Sequence, residues 1–452
     1  MNKLTEIKNI YFIGIGGIGM SALARYFLSK GAVVSGYDKT PTKLTSSLEA
    51  EGIQIHYSDD ISLADLNADV VVYTPAIPAH HTELTYFREH QYTVVKRSDI
   101  LQWITENSFN ICVAGTHGKT TVTSMIAHIL RHSNYGCNAF LGGIAANYHT
   151  NFWSHERNVV VVEADEYDRS FLKLFPDIAV ITSMDPDHLD IYGTAEEVEN
   201  AFVQFSEKVK PNGCLVTKHG LTRTAELKSA HHFTYDYKNE AASVYVKALQ
   251  VVNGSYHFSV VSPQWVLNDM VLHMGGLHNL DNILAAITIA KHLGIEDHKI
   301  RLAVESFKGV KRRFEYALKS AKHILIDDYA HHPEELNALI SGVRSIFPNE
   351  KLTLIFQPHL YSRTKDQADG FAKSLDSADE VLLLPIYPAR ELPVEGVNSE
   401  MLLNKMTLYK KQVIQKDALI DWMGIHKPGL VVMAGAGDID AMVQVVKNIL
   451  DK

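Results

Sequence analysis

The chain has 452 residues, 46% of them apolar and 21% charged, with a formal net charge of −9. That length implies roughly two to four domains, the composition excludes a disordered chain, and the acidic balance excludes a nucleic-acid surface spread over the whole molecule. Cys112, Cys137 and Cys214 are dispersed and lack metal-like spacing, so they read as packing residues in a reducing compartment.

The N-terminus has no signal-peptide layout, since Lys3, Glu6 and Lys8 precede only a strand-length apolar run. No stretch reaches the ~18 apolar residues that cross a bilayer, so a cytoplasmic protein without membrane insertion is expected. The first strand, at 10–13, runs into Gly14, Gly16, Gly17 and Gly19 and then into a helical pattern with Met20, Leu23 and Phe27 on one side. Missing side chains there let a backbone approach a pyrophosphate at a helix N-terminus. With Asp38 at the end of the next strand, Val33–Tyr37, the turn fits an NAD ribose as well. Strands at Val70–Tyr73 and 94–95 continue the rhythm of a parallel sheet wound by helices, and a polar break at 105–109 marks the start of a new domain.

A second strand-turn-helix follows. Residues 111–114 lead into "GTHGKTT", which is Gly115, Thr116, His117, Gly118, Lys119, Thr120 and Thr121, and a helix continues through Met125 and Ile129. Its two glycines free backbone N–H groups to cup phosphate oxygens, Lys119 can reach the β and γ phosphates, and the Thr120 hydroxyl can ligate Mg²⁺. The loop is shorter than the general G-x-x-x-x-G-K-[ST] pattern, because Val113 stands five residues before Gly118. ATP is the expected nucleotide. Further strands are expected at Val159–Glu163, 178–182 and 214–216, followed by β-rich alternation over 242–271. Glu163 ends an apolar strand, where a carboxylate is costly to bury without a metal or a cation. Asp165, Glu166 and Asp168 read as a charged loop with no assigned role. The last third restarts the winding rhythm at "HILIDD", "LTLIF", "EVLLLP" and "GLVVMAG", where loops at strand carboxyl ends are the expected ligand contacts.

A glycine turn followed by "GTHGKT" resembles the Mur ligase family, and the resemblance runs the length of the chain. "VVVVEADEYDRSF" and "ITSMDPDHLDIYG" match the places where the family puts a glutamate and a histidine that help hold magnesium, here Glu163 and His188. "GGLHNLDNILAA" resembles the family's G-x-H-N-x-x-N segment and carries His278, Asn279 and Asn282 toward ATP. "GVKRRFE" supplies Arg313, with Arg312 beside it left to solvent or to phosphate steering. "IDDYAHHP" supplies Asp328, Tyr329, His331 and His332, and "FQPHLYSRT" supplies His359, Tyr361 and Arg363. The resemblance implies an α/β fold of three domains. These are an N-terminal Rossmann-like parallel sheet for a UDP-sugar (1–107), a central P-loop ATPase-like α/β domain (108–308), and a C-terminal Rossmann-like α/β domain that closes over the centre (309–452). Gly14, Gly16, Gly17, Gly19 and Asp38 would then serve the UDP-sugar, not NAD.

The resemblance further implies that ATP phosphorylates the lactyl carboxylate of UDP-N-acetylmuramate and that an amino-acid amine attacks the acyl phosphate, in peptidoglycan precursor synthesis. Lys119, Arg313 and Mg²⁺ held by Thr120, Glu163 and His188 would stabilise phosphoryl charge. Asp328 would meet ATP, and Tyr329, His331 and Arg363 are candidates for the amino-acid carboxylate. His359 or His331 would handle the ammonium proton, with no choice between them. Siblings carry a carbamylated lysine after the metal histidine, whereas "HLDIYGTAEEVENAFVQF" contains no lysine. That absence and the opening motif resemble the branch that adds L-alanine, although Leu360 stands where many of that branch have an arginine. The alternatives are the family's tripeptide-recycling branch, an NAD-dependent dehydrogenase, and a nucleotide-binding regulator without turnover.

Overall fold

The structure, a computed structural model, describes residues 3–389 and 391–452. Three sheets organise it. The first comprises β1 (Asn9–Ile13), β2 (Val33–Tyr37), β3 (Gln54–His56), β4 (Val70–Tyr73) and β5 (Val94–Lys96), in the order β3-β2-β1-β4-β5 with every pairing parallel. Helices α1 (Ile18–Ser29), α2 (Lys43–Ala50), α3 (Thr82–Glu89) and α4 (Arg97–Glu106) wind it. On α1, Met20, Leu23 and Phe27 are buried as the apolar spacing requires. The strand order reverses at β1, so the glycine turn sits where open parallel sheets leave a crevice.

The second sheet holds β6 (Phe109–Ala114), β7 (Asn138–Ala145), β8 (Thr150–Trp153), β9 (Val159–Glu163), β10 (Ile178–Ile181), β11 (Cys214–Lys218) and β12 (His231–Asp236). Its body runs β12-β11-β10-β6-β9-β7-β8, and β13 (Val244–Val252), β14 (Ser255–Ser262) and β15 (Trp265–Leu272) follow at the β12 edge. Helix α5 (Lys119–His132) leaves the end of β6. The third sheet has the order β16-β17-β21-β18-β19-β20, built from β16 (Glu315–Lys319), β17 (Ile324–Asp328), β18 (Leu352–Phe356), β19 (Glu380–Leu383), β20 (Lys411–Val413) and β21 (Leu430–Ala434). Only β16 runs antiparallel to its neighbour there. The expected three-sheet α/β organisation is what the structure shows.

By compactness the chain divides into two units. One is the chain up to Ala248 with Phe258–Met270 and Asp281–Ser306; the other is Leu249–His257, Val271–Leu280 and Phe307–Lys452. Within the first unit the β7–β8 hairpin lies on α1. Tyr26 packs against Phe140 and Phe152, with ring centroids 5.4 and 6.1 Å away. Beside them the buried Arg25 guanidinium donates to Asn151 and to Glu51, while the Asn151 amide donates to the Ile18 carbonyl at 2.6 Å and the Ser21 hydroxyl at 2.9 Å. A buried arginine persists because every face of its fork is paired.

The polar break at 105–109 is present but narrower, at 107–108. Helix α4 continues through Glu106 and β6 begins at Phe109, because the Thr105 hydroxyl donates back to the Leu101 carbonyl at 2.9 Å and the side chain is fully buried. The three cysteines are buried, as expected of packing residues, and none is disulfide-bonded. Burial pushes the Cys137 and Cys214 thiols up to about 12.

Candidate functional site

Strand order builds the nucleotide loop. Register pairs Val113 with Glu163 on β9 and Ala114 with Ile181 on β10, so the loop leaving β6 is flanked by Glu163 on one side and Thr182 on the other. Gly115 has φ +132° and a Cβ there would lie 2.0 Å from the Thr182 hydroxyl; Gly118 has φ +83° and a Cβ would lie 2.8 Å from the Asn282 side-chain oxygen. Only glycine suits both positions. Thr116 donates to the Asp185 carbonyl at 2.7 Å, the His117 N–H donates to Ser183 at 2.9 Å, and Thr182 donates to the His117 carbonyl, which pins the loop open at the N-terminus of α5. Thr120 and Thr121 are buried in its first turn.

The Thr120 hydroxyl donates to Glu163 at 3.2 Å, and the other Glu163 oxygen accepts from the Gly142 N–H at 2.7 Å. The structure brings together two of the three residues that the sequence offers as metal ligands, Thr120 and Glu163. His188 has φ +53° and sits against Tyr167, with ring centroids 5.2 Å apart, and Asp187, 3.8 Å away. Among the described residues no three histidine, cysteine or carboxylate side chains converge as a metal cluster. The P-loop lysine has a partner that sequence reasoning left unassigned: Lys119 Nζ donates to Glu166 at 2.7 Å and to the Gly115 carbonyl at 2.7 Å. Glu166 is thus not part of a merely charged loop, since its side chain is only 3% exposed.

The first glycine turn is tied by its own strand neighbours. Gly14 has φ +87°. The Gly16 N–H donates to Asp38 Oδ2 at 2.8 Å, and the other Asp38 oxygen accepts from the Thr40 N–H at 3.1 Å. A Cβ on Gly19 would lie 2.8 Å from Arg97 Nη1, whereas one on Gly17 would meet only ordinary contacts at 3.5 Å and beyond. Arg97, which the sequence did not single out, pairs with Asp165 at 3.4 Å. A cavity of about 330 Å³ joins these parts, lined by Gly17, Gly19, Thr74, Arg97, Gly142 and Glu163. It links the first glycine turn to the carboxylate beside the P-loop.

His278, Asn279 and Asn282 open the helix His278–His292. The Asn279 amide donates to the Gly275 carbonyl at 2.6 Å, and burial lowers the His278 pKa. On the third sheet the candidate residues gather at the carboxyl ends of β17, β18 and β21. Both Asp328 oxygens accept backbone N–H bonds, from Phe314 at 2.7 Å and Ala330 at 2.8 Å, and burial pushes the carboxyl up to about 6 against them. Its carboxylate therefore holds the segment carrying the exposed Arg313. Arg312 corrects the expectation of a solvated residue: with φ +60° it turns inward, donates to the Gly435 carbonyl, and stacks over Tyr329 at 5.0 Å.

His331 and His359 meet edge-on with centroids 6.0 Å apart, and His359 stacks on Tyr387. Burial lowers both imidazole pKa values, so both favour the neutral base. His359 Nδ1 and Arg363 Nη1 are buried without a hydrogen-bond partner. Leu360 lies between them with φ +69° and donates its N–H to the Tyr387 carbonyl at 2.9 Å. The loop is thus held in a conformation rare for an L side chain, in a segment that carries two unsatisfied polar groups.

Comparison with known proteins agrees with this layout. Residues 9–108 match the Mur ligase family catalytic domain, 113–290 the Mur ligase middle domain, and 312–437 the Mur ligase glutamate ligase domain. The chain is 47% identical over 454 residues to a UDP-N-acetylmuramate–L-alanine ligase of Flavobacterium johnsoniae, covering 100% of this chain and 99% of that one. A protein of the same name from Parabacteroides distasonis is also 47% identical, over 100% of this chain and 98% of its own. The crystal structure of a UDP-N-acetylmuramate-alanine ligase from Thermotoga maritima superposes with a TM-score of 0.82 at 29% identity over 99% of both chains. These three matches and the full-length identities establish that the chain belongs to the Mur ligase family.

Proposed function

We propose that the protein joins L-alanine to the lactyl carboxylate of UDP-N-acetylmuramate with ATP, by way of an acyl phosphate, in peptidoglycan precursor synthesis in the cytoplasm. The observation that carries the reading is the 47% identity over the whole chain to ligases of that name. Among the described residues no helix is long and apolar enough to cross a membrane, in keeping with a nucleotide-linked substrate.

Residues 1–107 would take the UDP-sugar, 108–308 ATP, and 309–452 the amino acid. The P-loop fits ATP on its own geometry: glycines where any Cβ would collide, a helix N-terminus behind them, and Lys119 at the loop's mouth. Thr120 and Glu163 fit Mg²⁺, which their hydroxyl and carboxylate oxygens would hold, with His188 joining them. That ion would supply charge neutralisation where phosphoryl oxygens meet the substrate carboxylate.

The chain's own residues supply the rest. Lys119 and Arg313 neutralise phosphoryl charge. Gly14, Gly16, Gly17 and Gly19 present the N-terminus of α1 to the diphosphate, with Asp38 fixing the turn through Gly16. His278, Asn279 and Asn282 border the nucleotide, and Asp328 orients Arg313. Arg363 and Tyr329 bind the alanine carboxylate, and His359 or His331 accepts the ammonium proton so that the free amine can attack the acyl carbon and expel phosphate. The test compares kcat/KM for L-alanine, L-serine, glycine and the L-alanyl-γ-D-glutamyl-diaminopimelate tripeptide, with ADP release as readout. L-Alanine should lead glycine and serine by about 10- to 200-fold, the range one methyl or hydroxyl difference allows. Preference for the tripeptide would overturn the assignment.

A further inference from the structure

The Lys119–Glu166 pair does something the ligase chemistry does not require. A P-loop lysine acts by offering its charge to phosphates, yet here the ammonium is already satisfied by a carboxylate 2.7 Å away and by the loop's own Gly115 carbonyl. The pair is sheltered, with Lys119 18% and Glu166 3% exposed, so solvent screens it weakly. Glu166 is held from behind, since its carbonyl accepts from the Tyr192 hydroxyl at 2.6 Å and from the Arg169 N–H at 3.0 Å. Its second carboxylate oxygen is buried with no hydrogen-bond partner. The lysine therefore has a competitor fixed in place, and Lys119 is the cation with which that carboxylate forms its ion pair among the described residues.

We propose that Glu166 is a positioning residue that competes with nucleotide phosphates for Lys119 and thereby sets the affinity of the P-loop for di- and triphosphates. The proposal rests on the P-loop reading given above. Without a nucleotide, Glu166 and the Gly115 carbonyl hold the Lys119 ammonium and occupy the charge that any stray anion would otherwise meet. A nucleotide must draw the ammonium away from Glu166, and the returning contact helps expel ADP after turnover. The contest involves only the phosphates, so adenosine lies outside it.

Calorimetric titration of ADP with Mg²⁺ into the full-length protein tests this. Glu166→Gln keeps an oxygen for Lys119 but removes the competing charge, and the ADP Kd should fall roughly tenfold, the difference between a charge-assisted and a neutral hydrogen bond. Adenosine binding should not change. In a Lys119→Ala background the same substitution should shift the ADP Kd less than twofold, because the contested group is gone. Unchanged or weaker ADP binding by a folded Glu166→Gln protein overturns the proposal, and so does equal tightening with and without Lys119. If the amide is not tolerated in so buried a place, Glu166→Asp decides: its shorter reach should tighten ADP several-fold, and an unchanged Kd counts against the competition. Wild-type protein that bound no ADP at all would instead remove the P-loop reading, and the competition with it.

Discussion

Replacing Gly16 with alanine separates the two nucleotide turns. A Cβ at this position would lie 2.7 Å from Asp38 Oδ2 and 2.8 Å from Thr45 Cγ2, both well inside contact distance. It points at the protein's own side chains and not into open space, so its damage runs through Asp38. That carboxylate must swing away and surrender the 2.8 Å bond from the Gly16 N–H. A charge-assisted bond of this kind contributes about 1.5–3 kcal/mol when buried, and the part-exposed setting reduces that to about 1–2 kcal/mol, a factor of roughly 5–30. KM for UDP-N-acetylmuramate should rise by that factor while KM for ATP stays within about twofold, since the P-loop hangs on β6 and not on β1. Gly17→Ala makes the contrast. Its backbone φ of −64° is ordinary and its Cβ has room, so the melting temperature should hold while the UDP-sugar KM still rises, the methyl standing over the N-terminus of α1. Steady-state kinetics with each substrate varied in turn, alongside thermal melts, measures both. An unaltered UDP-sugar KM in Gly16→Ala, or an equal rise for ATP, would refute the reasoning.

Three other outcomes are expected. Lys119→Ala should reduce kcat by about 10³-fold or more; it should also destabilise the fold by about 2–4 kcal/mol, because Glu166 is left buried without a cation, and Lys119→Ala with Glu166→Gln should recover most of that loss in a denaturant titration. Glu83 is fully buried against the Tyr11 hydroxyl at 2.6 Å, and burial pushes its carboxyl from 4.5 up to about 7. Its folded pKa is raised, so the folded state holds the proton more tightly and stability falls as pH climbs from about 4.5 through 7. The loss approaches about 3 kcal/mol, and Glu83→Gln should flatten melting temperature against pH between 5 and 8, whereas parallel curves would contradict it. Asn151→Ala should cost about 1–3 kcal/mol by leaving the buried Arg25 Nη1 without its acceptor, while Glu51 and Ser47 still hold the rest of the fork; a melt within 1 °C of wild type would speak against that packing role.

Local motifs were legible in the sequence wherever function needs neighbours along the chain. Gly115 to Thr121 and the strand before them need no tertiary context, and the same holds for Met20, Leu23 and Phe27 on one helical face. What escaped depends on strand order. Glu166 meets Lys119 across 47 residues because β9 pairs with β6, and Arg97 reaches Gly19 and Asp165 because α4 returns beside the first turn. The β7–β8 hairpin was missed because "NAFLGGIA" is interrupted by Gly142 and Gly143 and lacks a clean alternation of buried and exposed positions. Arg312 and Arg313 are indistinguishable as letters. The positive φ at Arg312 turns one toward the Gly435 carbonyl and leaves the other exposed.

The three cysteines have a use beyond packing. Cys112 lies within β6, Cys137 directly precedes β7, and Cys214 begins β11, so all three thiols are sealed around the nucleotide-bearing sheet. A thiol reagent in native buffer can react with them only when that sheet opens, because burial both blocks access and suppresses the thiolate. The rate of thiol modification is therefore an internal clock for local opening, readable by intact mass without any engineered label. ATP or ADP seated at the end of β6 should slow it, and the factor by which modification slows would measure how much of the ligand's binding energy is spent holding the sheet shut.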